Sequence, residues 1–178
     1  SCHNAVYGEM KLGILAIGKA KDGPEKQLWE MYLSRLPQRG SLIEFDTKLP
    51  AGPQRTKDES SKIMSWFDEK APKGARLVCL DPYGKDTSSE GLAKLLVRWR
   101  DDSIPATYFA IGGADGHHPD LLARADQKLA FGSATWPHML FRAMLAEQLY
   151  RAEMISTGHI LIVLLHLSRT TVTCLKVL

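Results

Sequence analysis

The sequence predicts an α/β fold with a mainly parallel sheet and helices on both of its faces. Short apolar, strand-like runs alternate with longer segments of helical periodicity. Several of the strand-like runs are followed by glycine, which marks the passage from a strand into a loop. Regular alternation of strand and helix is typical of parallel sheets whose crossover connections are helices.

The first elements follow from apolar spacing and from turn residues. Lys11–Ile17 is an apolar run that predicts a buried strand. Pro24–Leu36 has helical spacing and a proline at its start, where proline suits the first helical turn. Leu42–Asp46 predicts a short strand. Thr47–Lys57 contains two prolines and a glycine and predicts a loop.

The middle of the chain repeats this alternation. Asp58–Lys70 predicts a helix, Ala75–Leu80 a strand, and Asp81–Gly84 (Asp-Pro-Tyr-Gly) a turn. Ser88–Arg100 predicts a helix with a leucine-rich stripe, and Ala106–Ile111 predicts the next strand.

The last elements end in a long helix. Pro119–Ala125 predicts a short helix, Lys128–Phe131 a short strand, and His138–Ile155 a long helix. This last helix is apolar nearly all round, which indicates that it is covered on more than one side. Either a second subunit covers it, as in an isologous dimer, or it is the central helix of the core.

Length and composition indicate one ordinary soluble domain. The chain has 178 residues, of which 44% are hydrophobic and 24% charged. The net charge of +3 is compatible with binding RNA, but it is too small to indicate a nucleic-acid partner by itself. Residues 1–9 lack the apolar core of a signal peptide and are interpreted as an upstream extension or an expression remnant.

The cysteines indicate a reducing, cytoplasmic setting. Cys2, Cys79 and Cys174 are odd in number and far apart, so neither a disulfide framework nor a cysteine zinc site is expected. Cys79 lies in an apolar run and is expected to be a small buried residue. His117-His118 has no matching ligand spacing, so we expect a solvated loop there rather than a metal site.

Three predicted strands end in loops of unusual composition. The loops are Leu80–Lys85, Ile111–Gly116 and Phe131–Pro137. Ligands of open parallel sheets bind beyond the carboxyl ends of the strands, and glycines let the backbone approach a ligand closely. A flat adenine and a ribose would fit such loops, although each loop taken alone is more typical of an ordinary turn. Neither G-x-G-x-x-G nor a P-loop occurs, which disfavours a standard dinucleotide site.

Five short motifs carry a resemblance to a known family. They are Met10-Lys11-Leu12, Leu80-Asp81, Ile111-Gly112-Gly113-x-x-Gly116, Pro137-His138-x-x-x-Arg142, and Glu147-Gln148-x-Tyr150-Arg151-Ala152. In this order, from Met10 to about His159, the sequence resembles the bacterial RlmH family of 23S rRNA pseudouridine-N3 methyltransferases, within the SPOUT superfamily. The resemblance implies a single methyltransferase domain over residues 10–159.

The resemblance implies a fold detail, a cofactor and partners. The α/β domain would contain a C-terminal trefoil knot whose loops hold S-adenosylmethionine. The protein would be a homodimer through helix 138–155, acting on a pseudouridine in the helix 69 loop of 23S rRNA in the assembled ribosome. The implied cofactor contacts are Leu80, Gly112, Gly113, Phe131, Gly132, Ser133, Ala134, Thr135, Trp136 and Pro137.

Two residues at the start of the long helix are catalytic candidates. His138 is expected to assist removal of the N3 proton, since an unperturbed histidine titrates near neutral pH. Packing after Pro137 is the alternative. Arg142 is expected to bind an RNA phosphate or to stabilise the deprotonated base. Tyr150 and Arg151 are interpreted as dimer contacts in preference to RNA contacts.

The end of the chain departs from the family pattern. Gly158-His159 is followed by the apolar run Ile160–Leu167 and then by Ser168–Leu178, where the family has a Pro-Tyr-His-Arg-like tail. We expect the tail at 160–178 to form an extra strand, to pack on a partner subunit or to promote aggregation; a reading-frame change near residue 160 is one hypothesis for its origin. The alternatives to an active enzyme of this type are a non-catalytic, ribosome-associated or cofactor-binding homologue and a SPOUT ribose 2′-O-methyltransferase.

Overall fold

The structure is a computed structural model that describes residues 9–158. Except for Glu9, the segment predicted to be an extension lies outside the described residues, and so does the whole tail at 160–178. Within residues 9–158, no helix has the length and apolar character needed to cross a membrane.

Five strands and five helices alternate along the described chain. The strands are β1 (Lys11–Ile17), β2 (Ser41–Phe45), β3 (Arg76–Asp86), β4 (Ala106–Ile111) and β5 (Gln127–Ala130). The helices are α1 (Pro24–Ser34), α2 (Pro53–Lys70), α3 (Ser89–Asp101), α4 (Pro119–Arg124) and α5 (His138–Ser156).

The strands form one sheet in the order β2-β1-β4-β3-β5, and all of its pairings are parallel. Ile14 of β1 lies opposite Leu42 of β2 on one side and Phe109 of β4 on the other. This arrangement confirms the predicted parallel sheet.

Helices cover both faces of the sheet because its inner strands are apolar on both sides. In β1, Leu12 and Ile14 face the cluster formed with α1, α3 and α5, whereas Leu15 and Ile17 face the cluster formed with α2 and α4. The sequence prediction of helices on both faces is therefore confirmed. The trefoil knot depends on how the chain is threaded and stays a prediction.

Helix α2 begins earlier than the sequence pattern indicated. Its first residue is Pro53, so the prediction that the loop extends to Lys57 was wrong. Proline at the first helical position costs no hydrogen bond, because the N–H that it lacks would have no partner inside the helix. Because of this extra turn, Arg55 is part of the helix and lies one turn before Glu59. The two side chains form an ion pair.

Strand β3 runs past the predicted turn at Asp81–Gly84. Leu80 pairs with Leu129 of β5, and Lys85 pairs with the same residue, so the four residues between them bulge out of the ladder. The Asp-Pro-Tyr-Gly segment is thus an excursion within a strand and not its end.

Helix α5 lies between α1 and α3 on one face of the sheet. Ala143, Leu145, Ala146, Leu149 and Ala152 are buried there. The interpretation of α5 as a central core helix is confirmed for this side. Its outer side borders a groove of about 610 Å³, in which Leu140 of α5 and Leu28 of α1 are exposed.

Candidate functional site

The three loops singled out in the sequence emerge side by side from one edge of the sheet. Leu80 of β3 lies opposite Ile111 of β4 and Leu129 of β5. Because the three strands run in the same direction, the bulge after Leu80 and the segments that follow β4 and β5 lie on the same side of the sheet. The fold thus brings together Leu80, Gly112-Gly113 and the loop Phe131–Pro137.

The bulge after Leu80 is anchored to the third loop. The Asp86 carboxylate accepts a hydrogen bond from the Gly132 N–H at 2.9 Å, and the Thr87 N–H donates to the Ala130 carbonyl at 3.0 Å. Gly84 packs directly on the backbone of β5, so that a Cβ there would lie 2.7 Å from the Leu129 nitrogen. These contacts fix where the third loop starts.

A tight turn follows β4. The Gly116 N–H donates to the Gly113 carbonyl at 3.0 Å, and Gly116 has a φ of 75°, which favours glycine. A Cβ on Gly112 would lie 2.9 Å from the backbone of Gly116. The turn therefore folds back on itself and leaves the backbone of Gly112 and Gly113 partly exposed.

A buried carboxylate that the sequence analysis missed supports this turn. Glu59 of α2 is 4% exposed, and a Cβ on Gly113 would lie 2.8 Å from its Oε2 atom. Glu59 accepts a hydrogen bond from Arg55 Nε at 2.9 Å. The spacing of Arg55 and Glu59 was the only signal available, and it is common on helix surfaces.

The two consecutive histidines are built into the same region. His117 Nε2 lies 3.1 Å from the Ala110 carbonyl, and burial lowers the pKa of His117. His118 is the N-cap of α4, and its backbone N–H donates a hydrogen bond to Ser60 Oγ at 2.9 Å. The expectation of a solvated loop was wrong for His117, which packs beneath Gly112. Among the described residues, no group of three or more histidine, cysteine or acidic side chains is placed to hold a metal ion.

The third loop presents its backbone to solvent. Gly132 to Pro137 are exposed, and Gly132 has a φ of 80°. Phe131 at the start of the loop packs against the core, and Trp136 near its end is 43% exposed. The loop is thus held at both ends and open between them.

His138 closes the site by joining α5 to the glycine turn. Its Nε2 atom lies 3.0 Å from the Gly112 carbonyl. Because a carbonyl only accepts hydrogen bonds, Nε2 must carry the proton, and in neutral His138 the lone pair is on Nδ1. Nδ1 is buried and has no hydrogen-bond partner among the described residues. Burial, followed by the nearby charge of Arg142, lowers the pKa of His138 and so favours the neutral ring.

Arg142 lies one helical turn after His138 and is 0% exposed. Its guanidinium donates to the Glu44 carboxylate at 2.7 Å and to the carbonyls of Ile17 and Gly18 at 2.9 and 3.0 Å. The predicted contact with an RNA phosphate does not fit this placement, because the guanidinium points into the protein and is occupied by these acceptors.

Cys79 lies in β3 one residue before Leu80 and is fully buried. Burial raises the pKa of its thiol to about 12. The prediction of a small buried residue is confirmed, and the thiol is not a nucleophile at neutral pH.

Comparison with known proteins gives one family over most of the chain. Residues 10–160 match the family described as "Predicted SPOUT methyltransferase". A protein from Paramagnetospirillum magneticum is 47% identical over 151 residues, and one from Rhodospirillum rubrum is 45% identical over 150 residues. A third, from Hyphomonas neptunium, is 45% identical over 153 residues.

All three relatives are named "Ribosomal RNA large subunit methyltransferase H". Each alignment covers 84% of this chain, and the covered share of the relatives is 96% or 97%. The family match over residues 10–160 spans the whole described sheet and the three loops of the site. The chain therefore belongs to the SPOUT methyltransferase family.

Proposed function

We propose that this protein transfers a methyl group from S-adenosylmethionine to N3 of a pseudouridine in 23S ribosomal RNA, in the helix 69 loop of the assembled ribosome. Its membership of a methyltransferase family and the names of its relatives support the reaction class and the RNA substrate. The structural observation that carries the proposal is the convergence of three loops at one sheet edge, with an open backbone between two anchored ends. A ribosomal substrate implies a cytoplasmic protein.

The residues at this edge fit a cofactor with a flat base, a ribose and a charged methionine part. Gly112 and Gly113 have no side chains that would keep a ligand from their backbone. Leu80 is 9% exposed and Phe131 is partly buried against the core, so each would contribute only a small apolar surface to the site. The exposed backbone between Gly132 and Pro137 offers hydrogen-bond donors and acceptors.

We infer that the cofactor lies among the three loops. The contacts would come from Leu80, Gly112, Gly113, Phe131, Gly132, Ser133, Ala134, Thr135, Trp136 and Pro137. When bound, the cofactor supplies a methyl group activated by its positively charged sulfur. The protein then has to hold the nucleoside in line with that methyl group and exclude water, which is catalysis mainly by orientation.

His138 is proposed to act chiefly by holding the Gly112 carbonyl. In the neutral ring with Nε2 protonated, the basic atom is Nδ1, which is buried and has no hydrogen-bond partner among the described residues. A direct role in removing the N3 proton would require the ring to rotate and to give up the bond to Gly112. The geometry thus favours orientation of the glycine turn over proton transfer.

A second copy of the chain is proposed to cover the groove beside α5. Leu28 is 40% exposed and Leu140 is 37% exposed, and Tyr32, Phe131 and Met144 also line the groove. Apolar side chains that face each other across an open groove favour association with a partner surface. The groove reaches Phe131, so a partner subunit would lie next to the cofactor loop.

A non-catalytic homologue is the second candidate function. The observation that favours it is the sequence after His159, where the family's Pro-Tyr-His-Arg-like tail is replaced by an apolar segment. The proposed cofactor contacts all lie before this point, whereas the resemblance implies that the family's tail lies near the cofactor and the substrate site.

Two measurements separate these possibilities. Calorimetry with S-adenosylmethionine is expected to show one site per chain; the absence of binding would contradict both candidates. Ribosomes that lack the methyl group are then incubated with enzyme and a radiolabelled donor, with fully methylated ribosomes as the control. Label in 23S rRNA of the unmethylated ribosomes alone supports the enzyme, and cofactor binding without label supports the non-catalytic homologue.

The role of His138 is tested in the same assays. His138→Gln retains an N–H donor that can reach the Gly112 carbonyl but has no titratable ring, and His138→Ala removes both. If His138 acts by orientation, the glutamine variant retains most of the turnover and the alanine variant loses cofactor affinity. Equal loss of turnover in the two variants with unchanged cofactor affinity would indicate a proton-transfer role instead.

A further inference from the structure

A buried ion pair ties α5 to the ends of two strands that carry no predicted cofactor contact. Arg142 of α5 is 0% exposed, and its Nη1 atom lies 2.7 Å from Glu44 of β2. Its Nη2 atom donates to the carbonyls of Ile17 and Gly18 at the end of β1. The guanidinium carbon also lies 5.4 Å from the centre of the Trp29 ring. One side chain of α5 thus contacts β1, β2 and α1.

Glu44 is shared between this arginine and a strand-end loop. Its Oε1 atom accepts the hydrogen bond from Arg142 and another from the Ala20 N–H at 2.9 Å. The Glu44 side chain is 26% exposed, whereas that of Arg142 is fully buried. Of the two charged groups, only the Glu44 carboxylate is in contact with solvent.

The same two helical turns of α5 carry the contact to the glycine turn. His138 lies four residues before Arg142, and its ring is bonded to the Gly112 carbonyl after β4. Because the strand order begins β2-β1-β4, these two side chains fasten the start of α5 to three adjacent strand ends. The loop Phe131–Pro137 runs directly into this start, so its downstream end moves only if α5 moves.

A buried ion pair by itself contributes little to the net stability of a fold. Desolvation of the two charges offsets most of their attraction, and apolar residues of similar size often stabilise a core as well. What the pair does provide is a defined direction and register, because Arg142 reaches three oxygen acceptors in a fixed arrangement. Such a constraint is useful where a loop must be held to within a fraction of an ångström.

We propose that Glu44 and Arg142 are positioning residues for the cofactor site. They set the position of the first turns of α5, and through His138 and Pro137 they set the glycine turn and the downstream end of the cofactor loop. The inference rests on the proposed function in so far as the bound cofactor is S-adenosylmethionine.

The chain offers a matched control at the other end of the same helix. Glu153 of α5 forms a buried ion pair with Arg100 of α3, and their side chains are 5% and 9% exposed. This pair also joins α5 to a neighbour, but it lies more than two helical turns beyond Arg142 and contacts none of the three loops. Glu153→Gln therefore reports the effect of losing a buried ion pair on stability alone.

The test compares Glu44→Gln, Glu44→Asp and Glu153→Gln in the full-length protein. Affinity for S-adenosylmethionine is measured by calorimetry, thermal stability by circular dichroism, and amide exchange by mass spectrometry without cofactor. Glu44→Gln is expected to weaken binding about tenfold, the size of a typical coupling between sites, and Glu44→Asp to weaken it less because the charge is retained. Glu153→Gln is expected to lower the melting temperature and to leave the affinity within about twofold.

Amide exchange tests the same proposal in the absence of the cofactor. The Phe141 N–H, bonded to the Pro137 carbonyl at 2.9 Å, is expected to exchange faster in Glu44→Gln than in Glu153→Gln. Unchanged affinity in Glu44→Gln, or equal losses in the two glutamine variants, would overturn the proposal. If the wild-type protein binds no S-adenosylmethionine, the proposed function fails, and unchanged exchange at Phe141 then overturns the positioning role independently.

Discussion

The contact between Gly113 and Glu59 gives the sharpest test of how the glycine turn is built. We expect Gly113→Ala to destabilise the protein, because the added Cβ would lie 2.8 Å from Oε2 and 3.3 Å from Oε1 of Glu59. A comfortable carbon–oxygen contact is roughly half an ångström longer than the shorter distance. Glu59 cannot simply swing away, since it is 4% exposed and bonded to Arg55.

The size of the effect follows from this crowding. Inserting a methyl group into a packed site costs about 1–3 kcal/mol. In a chain of this size, each kcal/mol corresponds to roughly 2–4 °C in melting temperature, so Gly113→Ala should lower it by about 2–12 °C. Gly23→Ala is the matched control, because a Cβ there would meet only the tip of Glu25 at 3.5 Å; it should leave the melting temperature nearly unchanged.

A double-mutant cycle identifies Glu59 as the cause. Glu59→Ala opens the space that the new methyl group needs, and the ion pair that it removes has a partner, Arg55, that is 42% exposed and so contributes little. Once Glu59 is alanine, Gly113→Ala should cost about 0.5 kcal/mol or less, which corresponds to a coupling energy of about 0.5–3 kcal/mol between the sites. Additive losses in thermal unfolding would refute the steric explanation.

Two further predictions concern the same edge of the sheet. Gly84→Ala should lower the melting temperature and weaken cofactor binding, because its Cβ would lie 2.7 Å from backbone atoms of both Leu129 and Lys128, which cannot move aside. An unchanged melting temperature would contradict the close packing of β3 on β5, and wild-type affinity in a calorimetric titration would contradict its effect on the cofactor site. Burial lowers the pKa of His117 and His138 below the value of about 6.5 expected in the unfolded chain. The folded state then binds fewer protons than the unfolded state, so their contribution is fully present above about pH 6.5 and is lost as the pH falls through the folded pKa, by at most about 1.4 kcal/mol per pH unit for each histidine. The drop in melting temperature between pH 7.5 and 5.5 should be smaller in His117→Asn than in the wild type, and equal drops would exclude this contribution from His117.

The sequence by itself determined the fold class and the location of the candidate site. Apolar runs such as Lys11–Ile17 and Ala106–Ile111 each predict a buried strand from local sequence alone. Their alternation with helices predicts a parallel sheet. In such a sheet, the segments after Leu80, Ile111 and Ala130 lie on the same side, and they meet because the strand order places β3 between β4 and β5. The pattern of strands and helices alone therefore places the three loops on one side of the sheet.

Local signals were less informative at element ends. Proline at position 53 is compatible both with a loop and with the first residue of a helix, and only the structure shows that α2 begins there. The Asp81–Gly84 segment has the composition of a turn, but β5 pairs with β3 on both sides of it and keeps it within a strand.

Only the tertiary structure decided what the polar residues of the site do. Arg142 has the same local pattern whether it faces RNA or the core; its burial follows from Glu44, which lies 98 residues earlier in the chain, and from two carbonyls of β1. Glu59 likewise appeared to be an ordinary helix residue until α2 placed it against Gly113. Periodicity encodes which face of an element is buried, whereas the partner of a buried charge is set by the order of strands in the sheet, which no local spacing contains.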